Sequence, residues 1–365
     1  MNQITKQCVG IDCSKDELVS CLASLMQDME IKQQVRKVFS NDPAGISRLV
    51  NWAKKHSDES LPLSFIVEAT GVYHEKLAEH LFDQGFHISV VLPRRVHAFT
   101  KSLQTKTITD STASQAIAQF GLLKKLDKWH KPNKVYRLLR NLTREREQLL
   151  QQRTTAKNQL HAEQNGAWAD QNALKRLKKR IRFYDEQMGQ VEADINWAIS
   201  QDKSLKERLE KVQTIKGVSL ITAVTIVAET EGFNLIRNSR QLVSYAGLDV
   251  IQKQSGTSVR GKPRISHRGN RHIRRALYLP ALSAIRHDPF SKQHYHRLVS
   301  RHGVKMKAAV SVQRKLLILM YILWKNQSVY DPHYREKCIK KSGSPSLDPP
   351  TELDLICSFD NTNIT

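Results

Sequence analysis

In the stretch Val9-Gly-Ile-Asp-Cys-Ser-Lys15, the apolar run that begins at Val9 ends at the acid Asp12. The pattern predicts a buried strand with Asp12 at its end, where a side chain is exposed at the edge of a sheet instead of within it. Val67-Glu-Ala-Thr-Gly71 repeats the arrangement, with Glu68 after a second apolar run. If the two strands are neighbours, the two acids converge on one point.

The residues around these two runs alternate between extended and helical patterns. We predict strands at 7–11, 18–23, 31–39, 63–67 and 87–92, and helices at 44–55 and 75–84. Three strands and a helix, followed by strands alternating with a helix, indicate an α/β fold with a central mixed sheet.

A third acid occurs in Thr109-Asp110, which opens a predicted helix. Asp110 alone is typical of a helix cap. Together with Asp12 and Glu68 it predicts a metal site, because converging carboxylates repel one another unless cations neutralise them. Mg²⁺ fits such oxygen ligands best, with Mn²⁺ as the alternative, and enzymes that cut phosphodiesters hold two ions about 3.5 to 4 Å apart.

The net charge indicates a polyanionic partner. The chain has 365 residues, with 58 Lys plus Arg against 35 Asp plus Glu, a formal charge of +23. Nucleic acid fits best, because neutralising phosphates releases counterions along its whole backbone. An anionic membrane surface is the weaker alternative, since no apolar stretch reaches the roughly 18 residues of a spanning helix.

The five cysteines show neither Cys-x-x-Cys spacing nor a His partner at zinc spacing. They predict no disulfide framework and no zinc site, and indicate free thiols in a reducing compartment. Because the first residues are polar and show no signal peptide, we expect a cytoplasmic protein associated with the nucleoid.

Beyond about residue 130 the pattern changes to long, highly charged helix. Apolar residues recur there at heptad spacing: Val135, Leu142, Leu149 and Ala156. This spacing predicts a helical hairpin or coiled coil, with a turn near Gly166 and a second arm at 174–210. Shorter helices are predicted at 212–324, and the aperiodic tail is expected to be disordered. The predicted domains are 1–130, 131–210, 211–330 and the tail 331–365.

The amino-terminal motifs resemble the DEDD-type insertion-sequence transposases related to the Piv invertase, which are recombinases guided by an element-encoded bridge RNA. The resemblance rests on Val9-Gly-Ile-Asp-x-Ser-Lys, Glu68-Ala-Thr-Gly-Val-Tyr-His, Val90-Val-Leu-Pro, Phe99-x-Lys-Ser, Thr109-Asp110, Ala116-Ile-Ala and Phe120-Gly. It implies a RuvC-like, RNase H-type fold for this part, with Asp12, Glu68 and Asp110 as catalytic, metal-binding acids.

One position departs from the family pattern, which continues Thr-Asp with a second aspartate three residues on. This chain has Ala113 there. Residues three apart share a helix face, so an acid at 113 would bind metal together with Asp110. Ser114 or a water could take its place, since Mg²⁺ commonly keeps several waters; the alternative is weakened metal binding or loss of activity.

A second resemblance covers the carboxy-terminal transposase domain of the same family. It rests on Leu242-Val-Ser-Tyr-Ala-Gly-Leu-Asp, Gln254-Ser-Gly and Arg264-Ile-Ser-His-Arg-Gly-Asn-Arg-His-Ile-Arg-Arg. It implies that Ser255 is the nucleophile, which attacks a DNA phosphate and forms a phosphoserine linkage. Without the family, Ser255-Gly256 is only a turn dipeptide. The base for Ser255 stays open between His267 and His272.

Basic residues are concentrated around Ser255, a composition suited to holding phosphate. Lys216-Gly217-Val-Ser219 fits a helix-hairpin-helix turn that binds phosphate, and fits a plain helical hairpin equally well. By the resemblance, Asn270 and Arg274 contact nucleic acid. The predicted nucleic-acid contacts are Lys216, Arg260, Arg264, Arg268, Asn270, Arg271 and Arg274.

The sequence therefore predicts an α/β plus all-α protein: a RuvC-like domain, a helical coiled-coil region and a helical serine domain. We expect a DNA transposase that cleaves and rejoins strands, with a guide RNA and as a homo-oligomer, either dimer or tetramer. Two alternatives stay open. One is a catalytically degenerate nucleic-acid-binding remnant, because of Ala113; the other is a metal-dependent, junction-resolvase-like nuclease that uses water instead of Ser255.

Overall fold

The computed structural model describes residues 3–103, 109–252, 254–255, 259–261 and 264–332. The chain divides into two compact units, Met1–Lys131 and Pro132–Thr365. The predicted boundary near residue 210 falls inside the second unit, because Leu139, Ile195, Val212 and Leu316 share one apolar core. The predicted tail, apart from its first two residues, lies outside the described residues.

The first unit is a mixed sheet covered by helices. Its described elements are β1 (Ile4–Cys13), β2 (Glu17–Met26), β3 (Ile31–Ser40), α1 (Pro43–His56), β4 (Leu63–Glu68), α2 (Glu75–Asp83), β5 (His87–Val91), α3 (Pro93–Ser102) and α4 (Asp110–Leu123). The strand order is β3-β2-β1-β4-β5, with β1 antiparallel to β2 and parallel to β4. This is the order of an RNase H-type fold, and it confirms the predicted fold class.

The central strands are buried on both faces. Val9 and Ile11 pack on one side with residues of α1 and α2. Cys8 packs on the other side with Val96 of α3 and Ile117 of α4. Parallel strands with both faces covered read as continuous apolar runs. The helix α3 was not predicted, because Pro93 was interpreted as the end of a strand, whereas it occupies the first turn of a helix.

The second unit is helical and carries short strands. Its described elements are α5 (Lys134–Gln164), α6 (Gln171–Ser200), α7 (Lys203–Gln213), α8 (Leu220–Glu229), α9 (Ser239–Ala246), β6 (Val250–Ile251), β7 (Gln254–Ser255), β8 (Val259–Arg260), β9 (Arg264–Ile265), α10 (Arg271–His287), α11 (Pro289–His302) and α12 (Lys305–Asn326). Helices α5 and α6 form the predicted hairpin, tied by an Arg153–Asp185 ion pair of 2.6 Å.

Two predictions for the second unit were wrong in detail. The second arm does not run unbroken to residue 210: α6 ends at Ser200, and Asp202 caps α7 by accepting a hydrogen bond from the Leu205 amide. An aspartate before an apolar period is a helix start, and here it interrupts a longer helical pattern. The segment at 212–324 is not wholly helical, because β6 to β9 form paired strands within it.

Candidate functional site

The two predicted acids of the strands lie side by side at the carboxyl edge of the sheet. Strands β1 and β4 are parallel neighbours, and their pairing ends at Ile11 and Val67. Asp12 and Glu68 are the next residue of each strand, and both are half-buried. The apolar runs thus deliver two carboxylates to one edge.

These carboxylates are close enough to oppose each other's ionisation. Burial raises the pKa of Glu68, and the charge of Asp12 raises it further, whereas a hydrogen bond with Thr70 lowers it. Burial, then the charges of Asp12 and Glu68, raise the pKa of the Cys13 thiol to about 12. A divalent cation would remove this repulsion, so the donor set fits Mg²⁺.

Helix α4 begins toward the same edge. A Cβ atom on Gly10 would lie 2.4 Å from the Ser114 carbonyl oxygen, whereas one on Gly121 would lie 3.4 Å from Cys8 Sγ. The later part of the helix therefore faces the earlier part of the strand, so α4 runs antiparallel to β1. Its first residue, Asp110, lies toward the edge at which both acids stand.

The Asp110 side chain itself lies outside the described part of the structure, so its role as a ligand stays a prediction. Thr109 caps α4 by accepting a hydrogen bond from the Thr112 amide. Ala113, almost one turn farther, is half-buried and offers no donor side chain. Among the side chains that the structure describes, no group of three or more His, Cys, Asp or Glu could hold a metal ion. Asp110 therefore stays the predicted third acid, with Ser114 or water as the other predicted oxygen donors.

Ser255 lies on a β-hairpin, not in the isolated turn that its dipeptide suggests. Strand β7 pairs with β8, and the flanking β6 pairs with β9. Ser255 stands opposite Val259, and its side chain is exposed. The neighbouring Lys253 and Gly256 lie outside the described residues. The Ser255 hydroxyl is thus on the surface of the part of the hairpin that the structure describes.

The segments that enter and leave this hairpin contact each other, at residues 245–247 and 269–270. The backbone N–H of Asn270 donates a hydrogen bond of 2.7 Å to the Tyr245 carbonyl. Gly269 packs so closely that a Cβ atom there would lie 2.4 Å from the Gly247 nitrogen. Gly247 ends α9 in the left-handed region, with φ of 70°, a conformation that favours glycine. These contacts close the chain between α9 and α10, and we call residues 245–247 and 269–270 the base of the hairpin.

A buried carboxylate, that of Glu229, fastens this base to α5. Its side chain is 1% exposed, and Arg144 donates two hydrogen bonds to it, of 2.6 and 2.8 Å. Asn270 Nδ2 donates a third, of 2.6 Å, and the Tyr245 hydroxyl donates to the Glu229 main-chain carbonyl at 2.8 Å. Although burial opposes ionisation, Arg144 and Asn270 hold the pKa of Glu229 below its usual value.

Glu229 was not among the residues predicted from the sequence. The available signal was a lone acid at the end of the otherwise apolar helix α8. An acid in such a position needs charged or hydrogen-bonding partners, because burying an unpaired carboxylate is costly.

The predicted nucleic-acid contacts divide into exposed and internally bonded side chains. The exposed ones are Lys216, Arg264, Arg268 and Arg271. Asn270 caps α10 besides bonding Glu229, and the half-buried Arg274 donates 2.7 Å to the Ala246 carbonyl. Asn270 and Arg274 thus have bonding partners within the chain, and their contact with nucleic acid stays a prediction. The Arg260 side chain lies outside the part of the chain that the structure describes.

Two histidines were considered as the base for Ser255. One of them, His272, is hydrogen-bonded to the carboxylate of Glu147. Its Nδ1 lies 2.5 Å from Glu147 Oε2, and Arg275 donates 2.7 Å to the other oxygen. Although burial opposes it, these two bonds hold the pKa of Glu147 below its usual value. His267 is exposed. Within the described residues neither ring bonds Ser255, so the base stays a prediction.

Models of known families match the chain in two places. A DEDD-type IS110 transposase model matches residues 9–164, which include Asp12, Glu68 and Asp110. A second model, of the "Transposase IS116/IS110/IS902 family", matches residues 209–296, which include Ser255. The chain belongs to the IS110-type transposase family. The first match extends to the end of α5, so the long helix is part of the family pattern.

Individual relatives agree with this assignment. A pilin gene-inverting protein from Moraxella bovis is 26% identical over 339 residues, which cover 91% of this chain and 100% of that protein. An uncharacterized 43.6 kDa protein of insertion element IS110 from Streptomyces coelicolor is 28% identical over 42% of this chain and 37% of its own length.

A solved structure, Thermus thermophilus RuvC in complex with a Holliday junction substrate, covers 34% of this transposase at 13% identity, with a TM-score of 0.27. The strand order and the family matches show the fold. Within the described ranges, every helix is too short or too polar to cross a lipid bilayer.

Proposed function

We propose that this IS110-type transposase cuts and rejoins DNA through Ser255, assisted by Mg²⁺ held by Asp12, Glu68 and Asp110. The observation that supports it most is the convergence of Asp12 and Glu68 at the sheet edge toward which α4 begins. Mg²⁺, or Mn²⁺ in its place, would supply activation of the attacking oxygen and stabilisation of the leaving one.

The proposed chemistry moves one phosphodiester bond onto the protein and back. Ser255 Oγ attacks phosphorus, its proton passes to a base, and the bond from phosphorus to a deoxyribose oxygen breaks as that oxygen takes up a proton. The phosphoserine ester conserves the bond energy, so a deoxyribose hydroxyl can attack it, reseal a strand and release Ser255. The exposed Lys216, Arg264, Arg268 and Arg271 would hold the DNA backbone.

We also propose a guide RNA and a homo-oligomer, dimer or tetramer, as partners. The formal charge of +23 suits binding of two nucleic acids, and base pairing with a guide would choose the target without a protein surface that reads bases. Trp168, 95% exposed, and Phe183, 54% exposed, on the α5–α6 hairpin support contact with further copies.

The test is a search for protein-linked DNA. Labelled element-junction DNA, its guide RNA and Mg²⁺ are incubated with wild type, Ser255→Ala and the control Ser300→Ala, an exposed serine on α11. We expect a covalent species in wild type and Ser300→Ala that is absent in Ser255→Ala. Cleavage that survives Ser255→Ala would favour the junction-resolvase-like nuclease, in which water attacks.

A second candidate follows from Ala113, which offers no ligand almost one turn after Asp110. A transposase without the fourth acid could retain its basic surfaces and bind nucleic acid without cutting it. Ala113→Asp separates the two candidates. Covalent product that appears only in Ala113→Asp would make the natural chain a binding protein, whereas product in wild type would mean that three acids suffice.

A further inference from the structure

One side chain, Asn41, joins the two loops that follow the converging acids. Its Nδ2 donates hydrogen bonds to the Ser14 carbonyl at 2.8 Å and to the Tyr73 carbonyl at 3.1 Å. Ser14 is two residues after Asp12, and Tyr73 is five residues after Glu68. The amide therefore spans from one acid-bearing strand end to the other.

The sheet does not make this connection by itself. The pairing of β1 with β4 ends one residue before both acids. Each acid instead pairs with the strand on its other side: Asp12 with Val19 of β2, and Glu68 with Val91 of β5. Because the two carboxylates repel each other, their separation depends on contacts beyond the last pair of the two strands.

Asn41 is itself firmly placed. Its backbone amide donates 2.8 Å to the Asp16 carbonyl, and the next residue, Asp42, caps α1 by accepting from Gly45. The orientation of its side-chain amide is fixed by chemistry, because only the NH₂ end can meet two carbonyl oxygens.

We propose that Asn41 is a positioning residue of the candidate metal site, which sets the separation of the Asp12 and Glu68 carboxylates before metal binds. This rests on the proposed function, since it presumes that the two acids hold Mg²⁺. Ligands that are already placed lose less entropy on binding, and partners that orient metal ligands typically contribute 10- to 100-fold in affinity. Asn41 acts through backbone and not on a ligand directly, so we expect roughly tenfold.

The test measures metal binding without DNA, on the full chain. The dissociation constant for Mn²⁺ is titrated by electron paramagnetic resonance for wild type, Asp12→Asn, Asn41→Ala, Asn41→Asp and Asn51→Asp. Asn51 is exposed on α1, so its aspartate variant is matched in charge and remote from the two loops. Thermal unfolding without metal is recorded for each protein.

We expect Asp12→Asn to abolish binding, both Asn41 variants to weaken it roughly tenfold, and Asn51→Asp to leave it unchanged. An added negative charge attracts cations, so weaker binding in Asn41→Asp has a geometric cause. Unchanged or tighter binding in both Asn41 variants would overturn the proposal. So would unfolding of both variants at the titration temperature, because Asn41 would then serve the fold. Wild type without Asp12-dependent binding would instead overturn the proposed metal site.

Discussion

Asn270 Nδ2 lies 2.6 Å from a carboxylate oxygen of Glu229, while Asn270 Oδ1 accepts a hydrogen bond of 2.9 Å from the His272 amide. One side chain thus satisfies a buried charge and caps α10. Asn270 follows the segment that ends the hairpin carrying Ser255, so its side chain joins that segment to the buried carboxylate of Glu229.

Replacing this amide tests its structural role. Asn270→Ala removes a cap worth about 1 kcal/mol and a hydrogen bond to a buried charge worth about 1 to 3 kcal/mol. We expect the free energy of unfolding in urea to fall by about 2 to 4 kcal/mol. Asn172→Ala, an exposed position on α6, should change it little. Unchanged stability with weakened DNA binding would instead support the predicted contact of Asn270 with nucleic acid.

The lowered pKa of Glu229 predicts a pH dependence of stability. A carboxyl whose pKa is lower in the folded state stabilises the fold above its unfolded value, here about 4.5, and this contribution is lost as the pH falls through the folded value. Glu229→Gln should therefore be less stable than wild type near neutral pH, with a gap that narrows below about pH 4.5. Urea denaturation across this range measures it. A gap independent of pH would contradict it.

The contact between α4 and β1 leaves no room for a methyl group. A Cβ atom on Gly10 would lie 2.3 Å from the Ala118 nitrogen, in backbone that cannot rotate away. Gly10→Ala should lower the free energy of unfolding by about 1 to 3 kcal/mol or more and weaken Mn²⁺ binding by shifting α4. Gly189→Ala on α6, with nothing within 4 Å, should instead stabilise by up to about 1 kcal/mol. Equal effects of the two substitutions would argue against the close packing.

Exposed and internally bonded basic residues should respond differently in DNA binding. Neutralising Lys216, Arg264, Arg268 or Arg271 with glutamine should each reduce the slope of log affinity against log salt by about one. Lys178→Gln, exposed on α6, is the control. Arg274→Gln should mainly lower stability, because its guanidinium bonds the Ala246 carbonyl. A slope unchanged by all four exposed substitutions would move the DNA-binding surface elsewhere.

The amino-terminal fold could be predicted from the sequence because buried strands and their ends produce local sequence patterns. Val9 and Ile11 lie in a continuous apolar run, and Asp12 marks its end. The Ser255 hairpin left no such mark, since each of its strands has two residues, too few to show a period of two. Pro93 was misread because proline both ends strands and starts helices.

The contacts around both candidate sites could not be predicted from the sequence, because they join residues far apart in the chain. Arg144 and Glu229 are 85 positions apart, and Asn41 and Tyr73 are 32 apart. Nothing in a local pattern distinguishes Asn41 from a surface asparagine such as Asn51. The acids could be predicted because chemistry restricts which residues can hold a cation, whereas many residue types can support a loop.

The half-buried Ala113 on α4 also has a genetic consequence. Every alanine codon becomes an acidic codon through one C-to-A change at its second base, giving aspartate from two of the codons and glutamate from the other two. The chain is therefore a single point mutation away from an acid at this position, almost one helical turn after Asp110. If Ala113 disables the chain, as in the second candidate function, one replication error at this codon would restore an acid without any change elsewhere in the gene.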